Sequence, residues 1–328
     1  MLSLAMLSLS ALIALILDAA LGWPRALYSR IGHPVGAFAA LLVACDRAWN
    51  APHHSFARRR MAGVLTLLLL LIFTLAICHA LMLLADHLLG RWSFLMIALL
   101  AWPALAQHSL YTHTKKVADA LDHGGLDAGR HAVGQICGRD VRVLDEHGVA
   151  RAAIESLAES LSDGIIAPLF WFLLGGLPAL WAYKAINTAD SMIGHKDRRY
   201  AAFGWAAARM DDIANIIPAR ISALLICLCQ RHIGRSLSIT WRYHAHHASP
   251  NSGWPEAAMA GALGLRLAGP SQYDGETYAK PWIGEGRTNA SSTDIRRALH
   301  IIRRCYALTW LIVAIIIVAT GEMSLWLP

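Results

Sequence analysis

The chain has 328 residues, 56% of them hydrophobic and 16% charged, with a mean hydropathy of +0.44. Soluble domains carry about 25% charged residues, so this balance excludes an ordinary water-soluble enzyme and indicates a membrane protein. The formal net charge of +7 does not indicate nucleic-acid binding, because the basic residues cluster beside apolar spans and no recognised binding motif accompanies them.

Taken in chain order, residues 2–21 are apolar until Asp18 and read as a membrane-spanning helix. They lack the basic leader and small-residue cleavage site of a signal peptide. Residues 22–61 carry Arg25, Arg30, Arg47 and the run Arg58, Arg59, Arg60, and read as a cytoplasmic loop that begins with a His-Pro turn. A Leu-rich run at 62–85, a shorter one at 92–106 with Pro103, and 306–319 supply three further spans. Residues 165–182 are apolar but interrupted by Pro168, Gly175, Gly176 and Pro178, which predicts a re-entrant element. Residues 221–229 are too short to cross alone.

The expected fold is an all-α integral membrane protein with about four transmembrane helices and a re-entrant or membrane-associated helical catalytic region. The expected division is an N-terminal membrane region at 1–106, a catalytic region at 107–305 and a C-terminal helix at 306–328. Lys and Arg are absent from the first 17 residues and from the tail after Cys305, so both termini are expected outside and the polar region in the cytoplasm, at the inner membrane. The six cysteines form no C-x-x-C pair and read as free thiols of a reducing compartment.

Charged groups within apolar segments mark the chemistry, because each costs ~2.5–3.5 kcal/mol at bilayer depth. Glu155, Glu159 and Asp163 recur every fourth residue, about 6 Å apart per helical step. Such a ladder either attracts a divalent metal or an amine, or forms a solvated face beside Arg151. In YKAINTADSMIGHK, Lys184, Asn187, Ser191 and Lys196 fall at roughly helical intervals with Asp190 between them. They suit a phosphate and its Mg²⁺, or a snorkelling lysine with a capping aspartate. In ARMDDIANIIPAR, Asp211, Asp212 and Asn215 converge at one helix end with Arg209 and Arg220 near in sequence, a set suited to Mg²⁺-phosphate. His244, His246 and His247 are either metal ligands or an interfacial cluster.

The ordered series GHPV, GRDV, ESLAESLSDGIIAPLF, YKAINTADSMIGHK, ARMDDIANIIPAR, SPNSGWPEAAMAGALG, AGPSQYDGE and KPWIG resembles the adenosylcobinamide-phosphate synthase family of cobalamin biosynthesis, the CobD/CbiB type. The resemblance runs from Asp18 to about Arg297. It implies a membrane ligase joining a carboxylate of adenosylcobyric acid to (R)-1-aminopropan-2-ol or its O-phosphate, with ATP as cosubstrate and Mg²⁺ as cofactor. Carried over by motif, Glu155, Glu159, Lys184 and Asp190 are the implied catalytic residues. His33, Arg139, Asp140, Asn187, Lys196, Arg209, Arg220, Asn251 and Glu256 would bind substrate and phosphate, and Asp163, Asp211, Asp212 and Asn215 would hold metal. The lipid bilayer, a homo-oligomer and other corrinoid-pathway enzymes are the expected partners.

Three positions depart from the family's commoner pattern: Trp23 stands for Asp in G-D-P, Ser160 for Asn in A-E-N, and Ala268 for Gly in G-G-P. ATP-driven amide formation requires phosphate oxygens held by metal and cations, and a base for the amine. No G-x-x-x-x-G-K-[ST] loop is present, so any ATP site is unconventional. A membrane prenyltransferase and a transporter are the alternatives. The first would show two well-separated Asp-rich repeats and the second inverted pseudo-repeats, and neither is visible.

Overall fold

A computed structural model describes residues 3–138, 140–273, 276–278 and 280–320. Among them, in chain order, run α1 (Leu4–Leu21), α2 (Arg25–Ile31), α3 (Val35–Trp49), α4 (Phe56–Leu89), α5 (Ser93–Ala101), α6 (Gln107–Val133) and α7 (Glu146–Leu161). They are followed by α8 (Ala167–Ile193), α9 (Trp205–Ala214), α10 (Ile216–Leu228), α11 (Ile233–Tyr243), α12 (Gly253–Leu263) and α13 (Ser292–Ala319). A single π-helical turn, Ser162–Ile166, joins α7 to α8. The only sheet among the described residues is two short antiparallel pairs, β1 (Leu267–Ala268) with β4 (Trp282–Ile283) and β2 (Ser271–Tyr273) with β3 (Glu276–Tyr278). The fold is therefore all-α, as expected.

Local chemistry explains the helix starts. Ser3, Ser55 and Asp145 accept the N–H groups of Met6, Arg58 and Gly148, satisfying donors that a first turn leaves unpaired. Among the described residues, five helical stretches are long and apolar enough to cross a membrane: Leu4–Leu21, Arg25–Trp49, Phe56–Val133, Glu146–Ile193 and Ser292–Ala319. Within α4, Leu65, Leu68, Leu69, Ile72, Phe73 and Leu75 are exposed, a surface that lipid covers without cost.

Two expectations need correction, one for a loop and one for a span. Residues 22–61 are not a plain loop, because α2 and α3 occupy most of them; the apolar run from Val35 to Cys45 outweighs the arginines around it. Residues 92–106 hold only the nine-residue α5 and a 3₁₀ turn at Trp102–Ala104. At 1.5 Å per residue α5 is about 14 Å long and the 3₁₀ turn adds about 6 Å, so a return crossing between α4 and α6 requires a locally thinned bilayer.

The chain divides into two compact units. The first comprises Met1–Ala106, Ala167–Asn215 and Ile312–Pro328, and the second Gln107–Ile166 and Ile216–Leu311. This division cuts through the expected catalytic region, since 167–215 belongs with the N-terminal helices. In the first unit α8 packs against α3, α4 and α9 around Leu42, Leu70, Ile186, Ile193 and Phe203. Gly63 allows α4 to lie against the chain at Phe203, whose carbonyl oxygen would be 1.8 Å from any Cβ there. α8 breaks at Gly175 and Gly176, the latter with φ +64°, and Pro178 follows. Ala167 and Tyr183 then share one buried cluster with Ala214. Sixteen residues of straight helix would hold them about 24 Å apart, so the chain doubles back at the glycine pair. In the second unit α6, α7, α10, α12 and the first part of α13 enclose a core that includes Val117, Ile154, Leu157, Ile226, Met259 and Ile302.

Candidate functional site

In the first unit, the fold-back of α8 brings Tyr183 and Asn187 to α9. The Asn187 amide donates to Asp211 Oδ1 at 3.3 Å, and the Asn215 amide donates to Asp211 Oδ2 at 2.9 Å. The Tyr183 hydroxyl donates to Asn215 Oδ1 at 3.0 Å, and the Trp171 indole N–H donates to the Ala214 carbonyl at 3.1 Å. Three of the expected residues, Asn187, Asp211 and Asn215, thus form one network. Asp212 instead faces Arg209 at 3.3 Å on its own helix. Spacing of three and four along α9 explains both pairings.

Lys184 and Asp190 lie on the same helix as Asn187, each with further interactions of its own. The Asp190 carbonyl accepts the Gly194 N–H that closes α8. Lys196 is exposed beyond the end of α8 at Ile193, so the expected helical spacing does not reach it. His33 is held as a turn element: its Nδ1 accepts the Val35 N–H at 3.3 Å, and its ring packs edge-on against Trp23. Trp23, one of the departures from the family pattern, donates its indole N–H to the Gly32 carbonyl at 3.1 Å.

In the second unit, Glu159 is exposed and accepts the Ser252 hydroxyl at 2.8 Å. Glu155, four residues earlier, is buried and accepts the Ala268 backbone N–H at 2.9 Å. Asp163 falls in the π turn, where the four-residue spacing no longer matches the helical turn, so the three acids do not form the regular ladder expected. Ala268 has φ +56°, the only positive value among the described non-glycine residues. It occupies the position where the family pattern commonly has glycine.

The SPNSGWPE segment is wound tightly around Ser249, whose Oγ accepts the N–H groups of Asn251 at 3.2 Å and Ser252 at 3.3 Å. Arg220 donates to Asn251 Oδ1 at 2.9 Å and lies over the Trp254 ring at 4.7 Å. His244 stacks on Trp254 at 3.9 Å, and His247 Nε2 stands 3.8 Å from Glu256 Oε2. Burial, and secondarily the charge of Arg220, hold His244 below the usual histidine range. Burial also lowers Arg220 somewhat.

Asp140 is tied to Arg142, 3.0 Å from Nε and 2.9 Å from Nη2, and this guanidinium holds its carboxyl below the usual range. Arg139 lies outside the described residues. Among the described residues no three His, Cys, Asp or Glu side chains converge in a metal-binding group. The hard oxygens of Asp211, Asp212, Asn187 and Asn215 are nonetheless the donor type that Mg²⁺ takes.

Sequence reasoning named His244 only as a metal ligand or interfacial histidine and missed Tyr183, Ser252 and Trp254 as members of these clusters. Ser252 and Trp254 stand inside the SPNSGWPE motif and Tyr183 opens YKAINTADSMIGHK, but the partner of Tyr183 on α9 is visible only once the fold-back is known.

The family described as CobD/Cbib protein matches residues 11–302. The "Cobalamin biosynthesis protein CobD" of Rhodobacter capsulatus is 45% identical over 307 residues, covering 93% of this chain and 96% of that protein. Its namesake from Sinorhizobium sp is 48% identical over 296 residues, 88% of this chain and 91% of the relative. The protein of that name from Rhizobium meliloti is 46% identical over 297 residues, covering 88% and 90%. No solved structure matches the chain.

Proposed function

The chain belongs to the CobD/CbiB family of cobalamin biosynthesis, and from that premise we propose that it is the membrane ligase that joins adenosylcobyric acid to aminopropanol or its O-phosphate. The observation that carries this reading is the Tyr183–Asn215–Asp211–Asn187 network, a polar cluster built onto a chain that doubles back inside an apolar unit. Packed apolar helices retain such groups at considerable cost, and ligand binding is the usual return.

The division of labour follows from chemistry. Asp211, with Asp212, Asn187 and Asn215, would hold Mg²⁺, which when bound neutralises phosphate charge during carboxylate activation. Lys184 and Arg209 would orient anionic oxygens, Lys184 as a point charge and Arg209 through its planar fork. In the second unit, Glu159 is exposed enough to meet an ammonium group, and Ser252 fixes one of its oxygens. Glu159 would hold the ammonium form of the amine substrate and serve as its proton acceptor. Arg220 and Asn251 form a second anion-directed pair, suited to phosphate on the amine substrate or to a corrinoid amide. The catalytic groups would face the cytoplasm of the inner membrane.

The test is direct. Purified protein is incubated with adenosylcobyric acid, ATP, Mg²⁺ and either aminopropanol or its phosphate, and corrinoid products are read by mass. ATP-dependent gain of one amide-linked aminopropanol unit is the expected outcome; unchanged corrinoid with both amines would overturn the ligase reading while leaving family membership intact.

A further inference from the structure

The end of α10, the end of α12 and α13 enclose a cavity of about 410 Å³ in the second unit. Its polar lining is basic: Arg231 and His232 come from the turn after α10, and Arg297, His300 and Arg304 from α13. Among the described residues no Asp or Glu lines it. Leu263 and Ile301 form part of an apolar floor. Positions 297, 300, 301 and 304 are spaced by three and four, so one face of α13 presents all of them.

This arrangement is built rather than incidental. Gln230 is buried, donates its amide to the Cys227 carbonyl at 3.3 Å and accepts the His232 N–H at 2.6 Å, which fixes the turn carrying Arg231. Arg304 donates to the Cys229 carbonyl at 3.3 Å. Arg297 is partly neutralised by Asp294 at 3.0 Å. Among the described residues, by contrast, Arg231 and Arg304 have no carboxylate partner. Snorkelling alone would leave such cations spread around the helix ends rather than gathered over one concavity.

Arg304 also immediately precedes the apolar run of α13 that begins at Cys305, so the basic rim meets the membrane-crossing part of the same helix. Basic pockets at such borders suit anionic headgroups, whose phosphate takes charge-assisted hydrogen bonds while the glycerol rests on apolar side chains. We propose that this cavity is a binding site for a phosphate-bearing anion, with the headgroup of an anionic phospholipid as its occupant. It uses none of the residues assigned above to ligation.

The protein, purified in a neutral detergent, is titrated with dioctanoyl phosphatidylglycerol, dioctanoyl phosphatidylcholine and inorganic pyrophosphate, with binding followed by native mass spectrometry. The expected result is saturable binding of phosphatidylglycerol in preference to phosphatidylcholine. Affinity should fall at least about tenfold in Arg231→Gln/Arg304→Gln, the scale of one lost charge-assisted contact. Pyrophosphate binding as tightly, with the same loss in the variant, would assign the site to a soluble phosphate and keep its chemistry. Arg231→Glu alone, at an exposed position, serves if the double variant melts early. Equal binding of the two lipids, no binding of any probe, or unchanged affinity in the variants would overturn the proposal.

Discussion

Asp211 accepts one amide N–H on each of its oxygens, from Asn187 on α8 and Asn215 at the end of α9. Replacing it with Asn removes the charge and turns an NH₂ group toward another NH₂ group, so charge and hydrogen bonding fail together. Asp211→Asn should therefore lower ligase turnover at least about a hundredfold, the scale of losing a key electrostatic contributor. Asp212→Asn, whose partner is the exposed Arg209, separates the metal reading from simple support of the network. If Asp211→Asn keeps near-normal turnover at limiting Mg²⁺, the network is packing. Ala268 offers the opposite case. A left-handed alanine costs about 1–2 kcal/mol, and its N–H donates to Glu155. Ala268→Gly should keep that bond and raise the melting temperature in detergent; a lower melting temperature would show that the alanine methyl contributes more packing than the backbone costs. These two positions also differ in legibility. The Asp211–Asn215 pairing follows from a spacing of four, whereas the contact from Ala268 to Glu155 joins residues far apart in sequence and no local pattern carries it.

At the scale of elements, the decisive feature of the first unit is close backbone approach. α4 meets the chain at Phe203 only because residue 63 has no side chain. Gly63→Ala should cost about 1–3 kcal/mol, the range for overpacking a filled contact. Gly36→Ala, where nothing lies within 4 Å of the added carbon, should change stability by less than about 0.5 kcal/mol. Equal melting of the two variants would mean that α4 shifts freely. The glycine pair in α8 was readable beforehand, because two glycines and a following proline cannot continue a helix without strain. α2 and α3 were not, since their arginines suggested a loop while the eleven apolar residues from Val35 to Cys45 favoured a helix. Periodicity fixes the type of a long element better than its compartment, and charged flanks report compartment rather than conformation.

For the whole molecule, orientation is the property most open to test. Lys and Arg gather between Gly22 and Met61 and between Gln107 and Arg304, and the apolar part of α13 follows directly. A reporter fused after Pro328 should therefore give an external signal, and one placed in the loop before α7 a cytoplasmic one. A cytoplasmic signal from the C-terminal fusion would mean an odd number of crossings, either because the stretch Arg25–Trp49 crosses as well or because residues 92–106 do not, and would overturn this orientation. The family identity was legible from ordered motifs spread along the chain. The partition into two units was not, because hydropathy along the chain carries no record of which distant segments pack together.

That partition also bears on the order of events at the ribosome. Each unit is assembled from separated stretches of chain, so α6 and α7 emerge long before α10, α12 and α13, which complete their core. The buried alanines Ala150, Ala153 and Ala158 and the leucines Leu157 and Leu161 must wait through the synthesis of 167–215 before their partners exist. During that interval they present sticky apolar surface to insertion machinery and chaperones. Chains arrested after Asn215 would be substrates for quality-control proteases, while the completed polypeptide would not.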